Sequence, residues 1–234
     1  MLYITGDTHG DFSRIFTFCK NSELEPQRDN LIILGDAGIN YSGDERDIFL
    51  KNQLARLPIT LFCIHGNHEM RPEGITSYEK STFSGGTVYV EAAYPNILFA
   101  KDGEIYDLCG SKAIVIGGAY SVDKFYRIAR GLRWFEDEQP SQEIRERVED
   151  RLKSVDWEID TVLSHTCPLK YEPTEMFLKG INQSVVDKST EKWLDTLENR
   201  LKYNRWMCGH YHTEKRIDKL IFLYKSILTL SDLG

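Results

Sequence analysis

The sequence predicts an α/β protein whose functional residues sit at the carboxyl ends of buried strands. Three observations carry this. Six short apolar or β-branched runs recur along the 234-residue chain. Amphipathic stretches fall between them. The runs end in Gly, Asp, Asn or His.

The runs are "LYITGDTHG" (2–10), "LIILGDAG" (31–38), "LFCIHGNHE" (61–69), "AIVIGGAYS" (113–121), "TVLSHTCP" (161–168) and "WMCGHYH" (206–212). Unbroken apolar runs of this length suit strands covered on both faces, as in sheets with helices packed over them. In open α/β sheets, ligands bind beyond the carboxyl ends of such strands. Helices are expected between the runs. Residues 12–20 place Phe12, Ile15, Phe16 and Cys19 at helical spacing, and 45–56 do the same with Ile48, Phe49 and Leu54. Residues 140–154 offer Ser141 as N-cap and Ile144, Val148 and Leu152 on one face. Residues 189–203 gather Trp193, Leu194, Leu197 and Leu201. Asp11 reads as a helix N-cap. "ILFAKDGEIYDL" (97–108) reads as a hairpin turning at Asp102-Gly103, and 219–227 as a late strand. Segments 70–96, 120–140 and 168–188 read as irregular, and long loops in a compact domain are often functional. No repeat or linker is evident, so one domain over 1–234 is expected.

Bulk properties narrow the function. A net charge of −7 argues against a general nucleic-acid surface. No apolar run approaches the roughly 18 residues of a membrane span. The five cysteines are scattered without a CxxC, which suits free thiols in a reducing compartment. With no leader pattern at the N-terminus, a cytoplasmic protein is expected.

All six histidines, His9, His65, His68, His165, His210 and His212, lie at or just past a strand end, beside Asp7, Asp36 and Asn67. A mixed Asp/His/Asn set suits Mn, Fe, Zn or Ni better than Mg or Ca. Glycines at 6, 35, 66 and 209 precede these residues, where the chain must turn sharply or approach an ion closely.

In order, the pieces are "GDTHG", "LGDAG", "HGNHE", "LSHTCP" and "CGHYH". This series resembles the calcineurin-like metallophosphoesterases, and the opening is similar to bacterial and phage serine/threonine protein phosphatases. The resemblance implies a four-layer α-β-β-α sandwich with the site at the strand C-terminal ends. It implies two divalent transition-metal ions, Mn2+ first among Mn, Fe, Zn and Ni. Asp7, His9, Asp36 and His212 would hold one ion, and Asp36, Asn67, His165 and His210 the other, with Asp36 bridging. It further implies hydrolysis of a phosphate ester by metal-bound hydroxide, with His68 at the leaving group as general acid or transition-state stabiliser and Asp36 essential to catalysis.

Many relatives carry a second carboxylate three residues after the bridging Asp. Here Ile39 stands there, leaving Asn40 or Asp44 to orient His68. Arg71 and Asn67 are expected to contact the substrate phosphate, Arg71 as a bidentate donor. His65 reads as a neighbour of the site, and Cys167 and Cys208 as filler. Basic and aromatic residues interleave over 117–141, which with 168–188 is the expected source of specificity.

The expected activity is phosphomonoester hydrolysis, on a small phosphorylated molecule or a phosphoprotein. The runner-up is a phosphodiesterase on cyclic nucleotides or nucleic-acid ends. A non-catalytic scaffold is the third reading, and the filled ligand positions argue against it. No membrane partner is expected.

Overall fold

A computed structural model describes residues 1–26 and 28–233. One sheet holds seven strands. In chain order these are β1 (Leu2–Thr5), β2 (Asn30–Ile33), β3 (Thr60–Cys63), β4 (Tyr78–Phe83), β5 (Gly86–Glu91), β6 (Ile97–Ala100) and β13 (Leu228–Thr229). They lie in the order β13-β1-β2-β3-β6-β5-β4. The second sheet contains β7 (Ile105–Leu108), β8 (Ser111–Ile116), β9 (Glu158–Ser164), β10 (Lys202–Cys208), β11 (Lys215–Ile217) and β12 (Leu220–Phe222), in the order β11-β12-β10-β9-β8-β7. The centre of each sheet is parallel: β1, β2, β3 and β6 in one, and β8, β9, β10 and β12 in the other.

The unbroken apolar runs follow from where each face points. Side chains alternate faces along a strand. On β2 and just beyond it, Ile32 and Leu34 enter a core between the sheets, while Leu31 and Ile33 enter an outer one. β10 divides likewise, Met207 facing inward and Trp206 and Cys208 outward. Both faces are dry, so no polar alternation survives.

Helices cover the outer faces. α1 (Ser13–Asn21) and α2 (Glu45–Leu54) lie on the first sheet through Ile15 and Leu54. α4 (Gln142–Lys153) and α5 (Ser189–Glu198) cover the second with Ile144, Val148, Leu152, Trp193, Leu194 and Leu197, joined by Leu201 just beyond α5. The result is the expected α-β-β-α sandwich. Ser141 caps α4, its Oγ accepting the Ile144 N–H at 3.3 Å. Asp11 accepts the Ser13 N–H at the start of α1, although Phe12 occupies the cap position.

Three expectations need correction. Residues 97–108 are not a hairpin, because β6 pairs with β3 and β5 while β7 pairs with β8 in the other sheet. Asp102-Gly103 is the crossing between sheets, and the Asp102 carboxylate accepts the Gly117 N–H at 2.6 Å. Segment 70–96 is not irregular: it carries the antiparallel pair β4–β5 at the sheet edge. Ile48 and Phe49 do not face the core. They are 52% and 65% exposed, and α2 is anchored by Leu54. Of the other long segments, 120–140 holds one short helix, α3 (Lys124–Ala129), and 168–188 holds three single 3-10 turns. No helix among the described residues is long and apolar enough to cross a membrane.

Candidate metal centre

The parallel strands deliver their carboxyl ends to one edge of the sandwich, and the loops leaving them are tied to one another. The N–H groups of Thr8 and His9 donate to the Asp36 carbonyl. The His165 N–H donates to Ile116, and the Gly209 N–H to His165. Buried Trp206 donates its indole N–H to Ser164 Oγ at 2.7 Å, and Ser164 donates to the Thr166 carbonyl, fixing the turn that carries His165.

Four candidate ligands adopt the left-handed backbone region. His9, Asp36, His210 and His212 have φ of 48°, 47°, 65° and 50°. Non-glycine residues rarely sit there, and such strain collects at functional sites. Two glycines are required by close approach. A Cβ at Gly66 would lie 2.0 Å from Asp36 Oδ1, and one at Gly209 would lie 2.2 Å from Asp7 Oδ1.

The side chains converge in two overlapping groups. Asp7, His9 and His212 form one, and Asp7, Asp36 and His165 the other, each with its donor atoms within 4.8 Å of one another. His9 Nε2 stands 2.8 Å from His212 Nε2, and His212 Nε2 is 3.1 Å from Asp7 Oδ2. Asp36 Oδ2 lies 3.8 Å from His9 Nδ1 and 3.7 Å from His165 Nε2, so one carboxylate oxygen faces both sides. Asn67 Oδ1 is 2.8 Å from His165 Nε2, and its Nδ2 donates to Ser121 Oγ. The His210 ring packs edge-on against His165, with centroids 5.0 Å apart.

Electrostatics suit a cation here. Burial alone would raise the Asp36 carboxyl, but the neighbouring His165 and His68 outweigh it and hold Asp36 below the usual range. Asp7 is lowered too, against its burial, chiefly by its hydrogen bond with His212. Burial pushes His210 down to about 3, which keeps a ring nitrogen free to bind metal. The Asp7 hydrogen bond raises His212. Imidazole nitrogens and carboxylate oxygens packed this closely, with Asp7 and Asp36 almost fully buried, fit divalent transition metals.

The sequence profile of the calcineurin-like phosphoesterases matches residues 2–214. The chain belongs to that family. Calcineurin-like phosphoesterases are metal-dependent hydrolases of phosphate esters, typically with a dinuclear divalent site. Among solved structures, the protein TT1561 of Thermus thermophilus is 14% identical, with a TM-score of 0.50 over 95% of this chain and 87% of that one. The phosphopantetheinyl hydrolase of Mycobacterium tuberculosis is 15% identical, with a TM-score of 0.48 over the same shares. The first of these likenesses speaks to the fold alone. No curated protein sequence matches the chain.

In this phosphoesterase, Asp7, His9, Asp36, Asn67, His165, His210 and His212 all come to one place. His68 lies beside them, its ring 5.7 Å from that of His9. The His68 backbone N–H donates to Asp36 Oδ1 at 2.8 Å. Burial, then the Arg127 charge, lowers His68, while Asp36 and Asp123 pull the other way. Neither proposed orienting partner faces it: Asn40 bonds Tyr78 Oη, Asp44 bonds Arg46, and Ile39 is buried in the core.

Arg71 is a correction. It does not reach the site. Its Nη1 donates to the buried Asp102 carboxylate at 2.6 Å and its Nε to the Asp137 carbonyl at 2.9 Å, and it lines neither cavity at the candidate ligands. His65 is buried, and neither ring nitrogen has a hydrogen-bond partner among the described residues. Cys167 and Cys208 pack in the outer core of the second sheet, and burial pushes both thiols up.

Three contributors had little sequence signal. Glu69 accepts the N–H groups of Gly66 and Gly38, bracing two ligand loops. Arg14 Nη2 donates to the carbonyls of Gly6, Asp7 and Tyr224, holding the end of β1. Arg127, in the sequence only one of many loop charges, faces the site. Two cavities of about 420 and 470 Å³ share His9, His68 and Arg127 in their walls. Most of the wall of the first comes from 120–127 and 172–191, within or beside the two long segments.

Proposed function

We propose that the chain is a phosphomonoesterase working with a pair of Mn2+ ions on a small phosphorylated molecule. Asp7, His9, Asp36 and His212 would hold one ion, and Asp36, Asn67, His165 and His210 the other. The observation that carries this reading is Asp36, whose Oδ2 is equidistant within 0.1 Å from imidazoles of both groups, at 3.8 and 3.7 Å. A bound pair supplies Lewis-acid stabilisation of phosphoryl charge and an activated water.

The protein's residues do the rest. Asn67 would hold one ion through its carbonyl oxygen, while its amide donates to Ser121 Oγ. His68 stands where a leaving oxygen would emerge and offers it a hydrogen bond. Arg127 supplies a guanidinium for the dianion of a monoester, the part first expected of Arg71. The 420 Å³ cavity suits a small organic leaving group.

The second cavity favours one other reading. A diester carries an organic group on each side of phosphorus, and two clefts meeting at His68 would seat both. A direct comparison separates the two. Hydrolysis of 4-nitrophenyl phosphate and of bis(4-nitrophenyl) phosphate is measured with Mn2+, Fe2+, Zn2+ or Ni2+, and with a chelator. Faster turnover of the monoester with Mn2+ supports the proposal; faster turnover of the diester replaces it. No metal-dependent turnover on either, with metal bound, leaves a binding scaffold.

The reading treats residues 1–234 as one domain, because ligands come from both sheets. A cytoplasmic setting is part of it, supported by five free cysteines.

A further inference from the structure

The larger wall of apolar side chains near the candidate metal ligands lines one cavity, built by α5 and the 172–188 segment. It holds Met176, Phe177, Leu178, Ile181 and Val186, with Tyr120 contributed by the other long segment. Set in it is Glu191, in the first turn of α5, 4% exposed. Its Oε1 accepts from Thr166 Oγ1 at 2.9 Å. Its Oε2 is buried and has no hydrogen-bond partner among the described residues.

The other carboxylates of this wall are partnered. Glu172 pairs with Lys188 at 2.7 Å. Asp187 accepts from Gln139 and from the Ser189 N–H. Asp123 pairs with Arg127, although its Oδ1 is open. Glu191 alone of these combines an open oxygen with the lack of any cation bonded to it. An open acceptor in an apolar wall is costly unless a ligand supplies the donor.

Resting on the phosphomonoesterase reading, we propose that Glu191 is a specificity residue: its carboxylate receives the amino group of a phosphate ester whose leaving group is a largely apolar alcohol with an amine at its far end. The phosphate end lies at the metal ligands and Arg127, the apolar body against Phe177, Met176 and Ile181, and the amine at Glu191 Oε2. Burial raises the Glu191 carboxyl to about 7, an effect that a bound ammonium would reverse.

The test uses two isosteric substrates, 4-(2-aminoethyl)phenyl phosphate and 4-propylphenyl phosphate, and their free phenols. The wild-type protein is expected to favour the amine in kcat/KM by at least about tenfold. In Glu191→Gln, checked for folding by its melting temperature, the ratio falls to near one. Calorimetry on tyramine against 4-propylphenol gives a readout independent of turnover, and the same preference and the same loss in Glu191→Gln are expected there. If neither ester is hydrolysed but tyramine is preferred through Glu191, the phosphatase reading falls and the amine subsite stands. Hydrolysis of both esters at equal rates overturns the subsite and leaves the phosphatase reading intact. A preference that survives Glu191→Gln overturns the role of Glu191.

Discussion

Asp36 accepts the backbone N–H of His68 through Oδ1 at 2.8 Å, while its Oδ2 turns toward His9 and His165. One carboxylate therefore sets the position of the His68 loop and faces both ligand groups. Asp36→Asn keeps an acceptor oxygen for the His68 N–H but loses the charge. The expected outcome is a folded protein with less than two bound metals, measured by elemental analysis, and activity reduced by more than about 100-fold. A variant that retains both ions at wild-type affinity removes Asp36 from the bridging position.

In the proposed arrangement His68 would contribute its ring to the reaction and not a metal ligand. His68→Ala is expected to lower kcat by about 10²- to 10⁴-fold, the usual range for loss of one acid–base group, with metal content near that of wild type. Steady-state kinetics and metal analysis on one preparation check both halves. Loss of metal in this variant makes His68 structural.

The parts legible in the sequence were those where one physical constraint acts alone. Leu31 to Leu34 had to be apolar throughout because the strand is covered on both faces, and His9, His165 and His212 were conspicuous because strand ends otherwise hold turn residues. What escaped depended on distant partners. Arg71 and Arg127 have the same chemistry and both fall in segments that read as irregular, and only the fold shows that Asp102 takes one and leaves the other at the cavity. Residues 97–108 do turn at Gly103, but whether the two arms pair is decided elsewhere. β3 and β5 claim one arm and β8 the other, so the arms part into different sheets. Glu191 carries no signal of its own in the sequence, and only the packing of α5 against the Thr166 turn sets it apart.

The two arginines give a prediction with opposite signs. Arg71 and Asp102 are buried together, so Arg71→Ala leaves a carboxylate unpaired and is expected to cost about 3–5 kcal/mol of stability in urea denaturation. Its effect on kcat/KM at a temperature where the protein is folded should be small. Arg127 pairs with Asp123 at helical i,i+4 spacing, a contact worth only about 0.3–0.5 kcal/mol. Arg127→Ala is expected to lower kcat/KM by about 10- to 100-fold through the lost charge-assisted contact, with little change in stability. Reversed results exchange their roles.

Glu191 gives a pH dependence whose sign is fixed. Burial raises its carboxyl from 4.5 to about 7, with the charges of Glu172 and Asp187 adding to the rise and its own N–H and Thr166 opposing it. Between those values the folded protein holds a proton that the unfolded chain has released. Stability is therefore full below about pH 4.5 and is lost as pH rises through about 7, by up to about 3 kcal/mol from this group. Glu191→Gln cannot release that proton. Compared by urea denaturation without ligand, the variant should match wild type near pH 5 and exceed it near pH 8. A difference that is equal at both pH values, or largest at pH 5, removes the buried carboxyl as its source.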